Sequence, residues 1–182
     1  SAATPRKAQV QPPAPVWGDG FAKSRVRGLT QIGIEMPTAA LADEILTPGD
    51  GQVRALICIG GNPLVAWPNQ SKVERALGSL ELLVCIDIKL AQTARLAHYV
   101  IAPRISLERD DIATAPEIFY EEPYARYAEA LLPPQGDVLD EWEFYWEIAR
   151  RLGSQILTAG GPLPQDCKPD KFEVLEKITH GC

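Results

Sequence analysis

The chain has 182 residues, of which 46% are hydrophobic, so it is long enough to bury the core of a single domain. Its formal net charge of -6 argues against a nucleic-acid partner, because binding a phosphate backbone requires clustered Lys and Arg side chains. No apolar run approaches the length of a membrane span and no signal peptide opens the sequence, so we expect a cytoplasmic protein with no membrane partner.

The first half of the chain alternates helical and strand patterns after an N-terminal arm. Prolines among small and polar residues predict an extended linker over residues 1–24. The apolar run of Val53–Ile59 shows no alternation, which is typical of a central parallel strand covered on both faces. The other predicted elements are helices at Thr38–Leu46, Gln70–Leu77 and Ala91–Ala97 and strands at Leu82–Ile86 and His98–Ile105.

This alternation indicates βαβ units, and we therefore predict an α/β fold: a three-layer αβα, Rossmann-like domain with an open, mainly parallel sheet. Beyond it, residues 111–134 are predicted to form a covering excursion with one short strand around Ala128–Leu132. The pattern then predicts helices at Leu139–Leu152 and Lys171–Ile178. Aromatic side chains at helical spacing in the first of these two helices, Trp142, Tyr145 and Trp146, are predicted to face the core.

The four cysteines, Cys58, Cys85, Cys167 and Cys182, lie far apart with no CxxC pair, so neither an iron–sulfur cluster nor a zinc site is expected. Cys58 and Cys85 fall inside apolar strands, where we interpret them as small buried hydrophobes kept reduced. No Ser-His-Asp, Cys-His or His-cluster arrangement is present, so we expect neither a catalytic residue nor a metal ligand.

A glycine turn between two predicted elements is the strongest functional signal. Gly60, Gly61, Asn62 and Pro63 follow one apolar strand, and Asp87 ends the next, which is the layout of a nucleotide site. The GxGxxG glycines are absent, and each of these residues also has a purely structural interpretation. The glycines could serve only a tight turn, Asn62 could bond its own backbone two residues on, and Asp87 could cap a helix from Ile88.

Several segments in order resemble the molybdopterin oxidoreductase family, which includes formate dehydrogenases, respiratory nitrate reductases and sulfoxide reductases. The similar segments are Arg54–Leu64, Leu82–Ile88, Gln92–Ala94, Ala97–Pro103, Leu107–Asp111 and Asp140–Gly153. The resemblance implies that residues 25–153 form an α/β domain binding molybdopterin guanine dinucleotide, followed by a C-terminal extension, residues 154–182, with a short helix.

The family's cofactor carries Mo or W, and the glycine loop lies against its nucleotide half. The resemblance therefore assigns cofactor contact to Gly60, Gly61, Asn62 and Pro63. It also implies that Asp87 accepts two bonds from guanine, N1–H and the exocyclic amino group. This chain departs from the family at Ala91, where a threonine hydroxyl is common, so the substitute contacts are expected from Gln92 or Thr93.

Family enzymes are several times longer, with a metal ligand or cluster motif near the N-terminus. We therefore expect an internal piece or relic of such an enzyme, inactive by itself and partnered by the remaining domains or by self-association. The alternatives are a cofactor-free α/β interaction module and an unrelated nucleotide-binding or hydrolytic domain. The acidic loop at Ser106, Glu108, Asp110 and Asp111 either folds over the cofactor or is a solvated charge run, and His98 is interpreted as a packed, hydrogen-bonded residue.

Overall fold

A computed structural model describes residues 20–112 and 127–178 of the chain. Contacts divide these residues into two compact units, residues 20–103 and residues 104–112 with 127–178. Most of the predicted N-terminal arm and residues 113–126 of the predicted excursion lie outside the described residues. The predicted domain of residues 25–153 spans both units, and its boundaries stay a prediction.

The first unit is built on a three-stranded parallel sheet, which confirms the predicted α/β class and open sheet. The strands are β1 (Ala55–Ile59), β2 (Leu82–Ile86) and β3 (Tyr99–Ile101), in the order β1-β2-β3. The helices are α1 (Thr38–Leu46), α2 (Pro63–Ala66) and α3 (Gln70–Gly78), with a single 3₁₀ turn at Ala94–Leu96.

The central strand is β2, and the prediction that the Val53–Ile59 strand is central was wrong. Four of the five β2 residues are buried, whereas β1 lies at one edge of the three strands and alternates. Leu56 and Cys58 face the core, while Ile57 and Ile59 on the opposite face are 42% and 46% exposed. An apolar sequence alone cannot separate an edge strand from a central one, because both are Val-, Ile- and Leu-rich in parallel sheets.

The core of this unit lies between one face of the sheet and the helices α1 and α3. Alternate residues of β1 and β2 meet the apolar stripes of both helices there, as the period of each element requires. The buried cluster consists of Ala42, Ile45, Cys58, Val73, Ala76, Leu77, Leu80, Leu83, Cys85 and Ala94.

An ion pair that no sequence pattern predicted fastens residues 23–30 to the end of α1. The carboxylate of Glu44 is buried and accepts the Val26 N–H at 2.8 Å, and Arg25 Nε lies 3.3 Å from it. The Arg25 guanidinium also donates to the carbonyl of Thr47 at 2.7 Å, which satisfies a helix-end acceptor. A buried carboxylate requires such partners.

The second unit contains two short antiparallel pairs and two helices. Strand β4 (Asp111–Ile112) pairs with β5 (Tyr127–Ala128), and β6 (Leu157–Thr158) pairs with β7 (Gly161–Pro162). Helices α4 (Glu141–Arg151) and α5 (Lys171–Ile178) pack around Trp146, as the helical spacing predicts. The Trp146 Nε1–H donates to the carbonyl of Pro164 at 2.7 Å, so its polar edge is satisfied.

Five predicted elements are shorter than expected: β1 and α4 lack two or three residues at their ends, and three others differ as follows. The helix predicted over Ala91–Ala97 is only the 3₁₀ turn, and the third strand spans three residues instead of His98–Ile105. The strand predicted around Ala128–Leu132 ends at Ala128, because the next amides donate elsewhere: Ala130 to the Asp110 carboxylate, and Leu131 and Leu132 to the carbonyl of Leu107.

No helix within residues 20–112 and 127–178 combines the length and the apolar character needed to cross a bilayer.

Replacing Leu83 with alanine should destabilise the first unit by about 2–5 kcal/mol, because this fully buried side chain leaves a cavity in the core. The control is Ile34→Ala, at a residue that is 94% exposed, which should change stability by less than about 0.5 kcal/mol. Urea denaturation followed by the β1 and β2 amide NMR signals measures both, and equal losses would contradict the core assignment.

The thiols of Cys58 and Cys85 should resist modification in the native chain. Burial raises the pKa of both, that of Cys85 to about 11, so the reactive thiolate is scarce at pH 8. In a Cys182→Ser variant, a disulfide reagent should modify the exposed Cys167 first, and Cys58 and Cys85 only after denaturation. Equally fast reaction of all three thiols in the native protein would refute this.

Candidate functional site

The parallel register brings the ends of the three strands to one edge of the sheet. Ile59, Ile86 and Ile101 lie side by side, so the glycine turn and Asp87 follow at the same level. The Gly60 N–H donates to the Ile86 carbonyl at 2.8 Å, which ties the turn to β2. We call this region, residues 60–63 with 87–93, the carboxyl edge.

The two glycines of the turn have different roles. Gly60 has φ +55°, a left-handed conformation that favours glycine, and a Cβ added there would meet nothing within 4 Å. An added Cβ on Gly61 would lie 3.6 Å from the carbonyl oxygen of Ile59 and 3.7 Å from the Cys58 sulfur. Open space therefore lies in front of Gly60, while Gly61 faces the protein.

The Asn62 side chain joins the glycine turn to the loop after β2. Its Oδ1 accepts from Thr93 twice, from N–H at 3.1 Å and from the hydroxyl at 2.9 Å. Its Nδ2 donates to Gln92 Oε1 at 2.7 Å. No side-chain cap bond is made to the start of α2, so Asn62 does not bond its own turn, and Pro63 occupies the first helical position, where its missing N–H does no harm.

Thr93 is completely buried, and its hydroxyl also accepts the Leu64 N–H at 3.0 Å. Both bonding directions of this hydroxyl are therefore used inside the protein, which makes it a positioning group for the two loops. Direct contact of Thr93 with a ligand stays a prediction. Gln92, in contrast, is exposed at the carboxyl edge.

Asp87 is half-buried, and its Oδ1 accepts the Lys89 N–H at 3.1 Å. This is an Asx turn, in which the side chain bonds the backbone two residues on. No helix begins at Ile88, so the capping alternative is not realised. Among the described residues, the second carboxylate oxygen has no hydrogen-bond partner, which leaves an acceptor at the carboxyl edge.

His98 has a structural use. Its ring Nδ1 accepts the Leu83 N–H at 2.9 Å, and the backbone N–H of His98 donates to the Leu83 carbonyl at 2.8 Å. The side chain is exposed, so the expectation of a packed residue was wrong, although the expected hydrogen bonding is present.

The acidic loop is in the second unit, where Glu108 and Asp110 form internal bonds while Ser106 and Asp111 are exposed. Glu108 is buried and accepts the Gln135 N–H at 3.1 Å, while Asp110 accepts from Tyr127 Oη at 3.2 Å and from Lys171 Nζ. These bonds lower the pKa of Asp110, with the Lys171 bond as the largest cause. Folding of this loop over a cofactor stays a prediction.

The second unit also contains a cavity of about 350 Å³, between β4, β5, α4 and α5. It includes Asp110 and Asp111 but no residue of the carboxyl edge. Within residues 20–112 and 127–178, no group of three His, Cys, Asp or Glu side chains is placed to hold a metal ion.

All the side chains of this network could be singled out from the sequence, but their bonds could not. The Asn62–Gln92 and Asn62–Thr93 contacts join residues about thirty positions apart, and no local pattern encodes them. The Asx turn at Asp87 could have been found, since Asp after a strand often bonds the second following amide.

Similarity to known proteins covers the same region. A family model described as molybdopterin oxidoreductase matches residues 22–151. The probable oxidoreductase YyaE of Bacillus subtilis is 31% identical over 75% of this chain and 20% of its own length. The F420-dependent formate dehydrogenase subunit alpha of Methanocaldococcus jannaschii is 33% identical over 75% of this chain and 19% of its own length.

A solved structure, acetylene hydratase from Pelobacter acetylenicus, superposes with a TM-score of 0.56 and 28% identity. The superposition covers 64% of this chain and 16% of the other. The chain thus spans about a fifth of the length of the curated relatives it matches. With the family model covering more than half of its residues, the chain belongs to the molybdopterin oxidoreductase family.

Proposed function

We propose that the carboxyl edge of this chain holds the guanosine end of a molybdopterin guanine dinucleotide cofactor. The observation that carries the proposal is the placement of Asp87: a half-buried carboxylate with one oxygen left for a ligand, beside a glycine turn that opens to space. A carboxylate in such surroundings is costly to bury without donors, so a ligand that brings N–H groups is favoured.

The residues present fit a nucleotide. The positive φ of Gly60 exposes backbone without a side chain in front of it, which allows the close approach that a phosphate or ribose needs. Asp87 supplies acceptors, and the exposed Gln92 supplies an amide. When bound, the cofactor's Mo or W supplies the redox chemistry, while these residues position only the distal nucleotide.

Guanine suits Asp87 better than adenine does. Guanine presents two neighbouring donors, N1–H and the exocyclic amino group, to which a carboxylate can accept two bonds. Adenine places an acceptor, N1, at the same position, and this acceptor would face the carboxylate. A charge-assisted bond is worth roughly 1.5–3 kcal/mol, so the difference is large enough to select one base.

The names of the relatives support a cofactor-holding role for this region over a substrate-binding one. An oxidoreductase, a formate dehydrogenase subunit and a hydratase share it, although these names describe different reactions. A region common to proteins with different reactions fits a shared cofactor. We propose that substrate contacts come from other parts of a larger enzyme, which would also be the partners of this chain.

GMP should bind the purified chain weakly, with a dissociation constant of about 0.1 to a few mM. The site makes only a few contacts with the nucleotide, and these must offset the translational freedom that GMP loses on binding. AMP should bind more weakly. Asp87→Asn should remove the preference, since the new amide presents a donor to the donors of guanine. Titration followed by the backbone amide NMR signals of residues 60–63 and 87–93 measures both affinities.

The charge-matched control is Asp50→Asn, in an exposed loop of the same unit, which should leave both affinities unchanged. Equal or absent shifts with GMP and AMP in the unsubstituted chain would remove the guanine site. The same fold would then be better understood as the cofactor-free interaction module.

Gly60→Ala should weaken GMP and AMP equally, because the added methyl group projects into the open space where the nucleotide approaches. Gly28→Ala is a control matched for strain, since Gly28 has φ +63° and also has nothing within 4 Å of an added Cβ. Each variant should lose about 1–2 kcal/mol of stability. A Gly60→Ala chain that binds both nucleotides normally would place the ligand elsewhere.

A further inference from the structure

In the hydrogen-bond network of the carboxyl edge, the donor and the acceptor of each bond can be assigned in turn, beginning with a backbone amide. The Leu64 N–H can only donate, so Thr93 Oγ1 must accept it at 3.0 Å. The hydroxyl proton of Thr93 is then free to point to Asn62 Oδ1, at 2.9 Å.

The orientation of the Asn62 amide follows from this bond. The Thr93 N–H, another group that can only donate, reaches the same Asn62 oxygen at 3.1 Å. Two donors on one side require the oxygen of the amide there, so its nitrogen faces Gln92. Because Asn62 Nδ2 donates at 2.7 Å, Gln92 must present Oε1 to it.

The Gln92 side-chain amide therefore has its oxygen toward Asn62, and its nitrogen points away from Asn62. Gln92 is exposed, and among the described residues its Nε2 has no hydrogen-bond partner. The network thus determines that the outward atom of this side chain is the amide nitrogen, a donor, at the carboxyl edge.

This donor and the Asp87 carboxylate flank the same short turn. Gly60 is bonded to Ile86, the residue before Asp87, and Asn62 is bonded to Gln92. Gly60 and Asn62 are two residues apart, a separation of at most about 7 Å in an extended chain. Donor and acceptor thus belong to the segment that is bonded to the two ends of this turn at the carboxyl edge.

We propose that Gln92 is a specificity-determining residue whose Nε2 donates to the 6-carbonyl oxygen of guanine while Asp87 accepts from N1–H and the exocyclic amino group. This inference rests on the proposed function and adds the donor that completes it. The base-pairing edge of guanine reads acceptor, donor, donor, and Gln92 with Asp87 offers the complement. Adenine carries an amino group at position 6, where it would meet a second donor. Asn62 and Thr93 are positioning residues that set the direction of the Gln92 amide.

The test is Gln92→Glu, measured at pH 7 with GMP and AMP. A glutamate oxygen can still accept from Asn62 Nδ2, but the outward group changes from a donor to an acceptor. The ratio of GMP to AMP affinity should fall about tenfold, the scale of one hydrogen bond of about 1.4 kcal/mol. Because both nucleotides carry the same phosphate, the effect of the added charge cancels in the ratio.

The matched control is Gln70→Glu at the exposed start of α3, which adds the same charge and should leave the ratio unchanged. Thr93→Val should also lower the ratio, because Asn62 Oδ1 then keeps only the bond from the backbone N–H of residue 93, and Thr93→Ser, which keeps the hydroxyl, should restore it. In the unsubstituted chain, the Gln92 side-chain amide NMR signal should shift with GMP and not with AMP.

A Gln92→Glu chain with the full GMP preference, or an unmoved Gln92 amide signal, would overturn the inference. If Asp87→Asn abolishes that preference in the same experiments, the proposed guanosine site stands without Gln92. If the unsubstituted chain shows no preference at all, the proposed function fails and this inference fails with it.

Discussion

The carboxyl edge depends on one side-chain amide that must satisfy two loops at once. Asn62 connects the glycine turn after β1 to the loop after β2, and its partner Thr93 has no access to water. A buried hydroxyl or amide left without a partner costs about 1–3 kcal/mol, so neither loop can move away without that loss. The positions of the two loops are therefore set by these hydrogen bonds as well as by the strand register.

The strand register in turn depends on a buried core to which Cys58 and Cys85 both contribute. These residues are in register on neighbouring strands, and the Cys58 thiol donates to the Gly61 carbonyl at 3.3 Å. Burial raises the pKa of both thiols, so they remain protonated and the Cys58 S–H stays available as a donor. A small polarizable side chain fits beneath a tight turn, where a larger one would displace the backbone.

The elements that could be predicted from the sequence are those set by local pattern. The bounds of β2, α1 and α5 agree with the prediction because their apolar periods and end residues coincide. The loop from Asp87 to Ala97 could not be predicted as it is, because side-chain bonds at Asp87 and Thr93 compete with the helix that its composition favours. The edge position of β1 depends on strand order, which no single segment encodes.

The candidate site shows the same division between residue type and bonding. Glycine at a left-handed turn and an acid after a strand are local signals, and both Gly60 and Asp87 lie where these signals predict. A local sequence pattern cannot tell a side chain that can face a ligand from one that only positions other residues of the site. Thr93 and Gln92 are neighbours of similar polarity, yet one is buried with its hydroxyl fully used and the other is exposed with an amide nitrogen to spare. Leu64, 29 positions away in the sequence, bonds the Thr93 hydroxyl, and only the folded chain brings this amide and hydroxyl together.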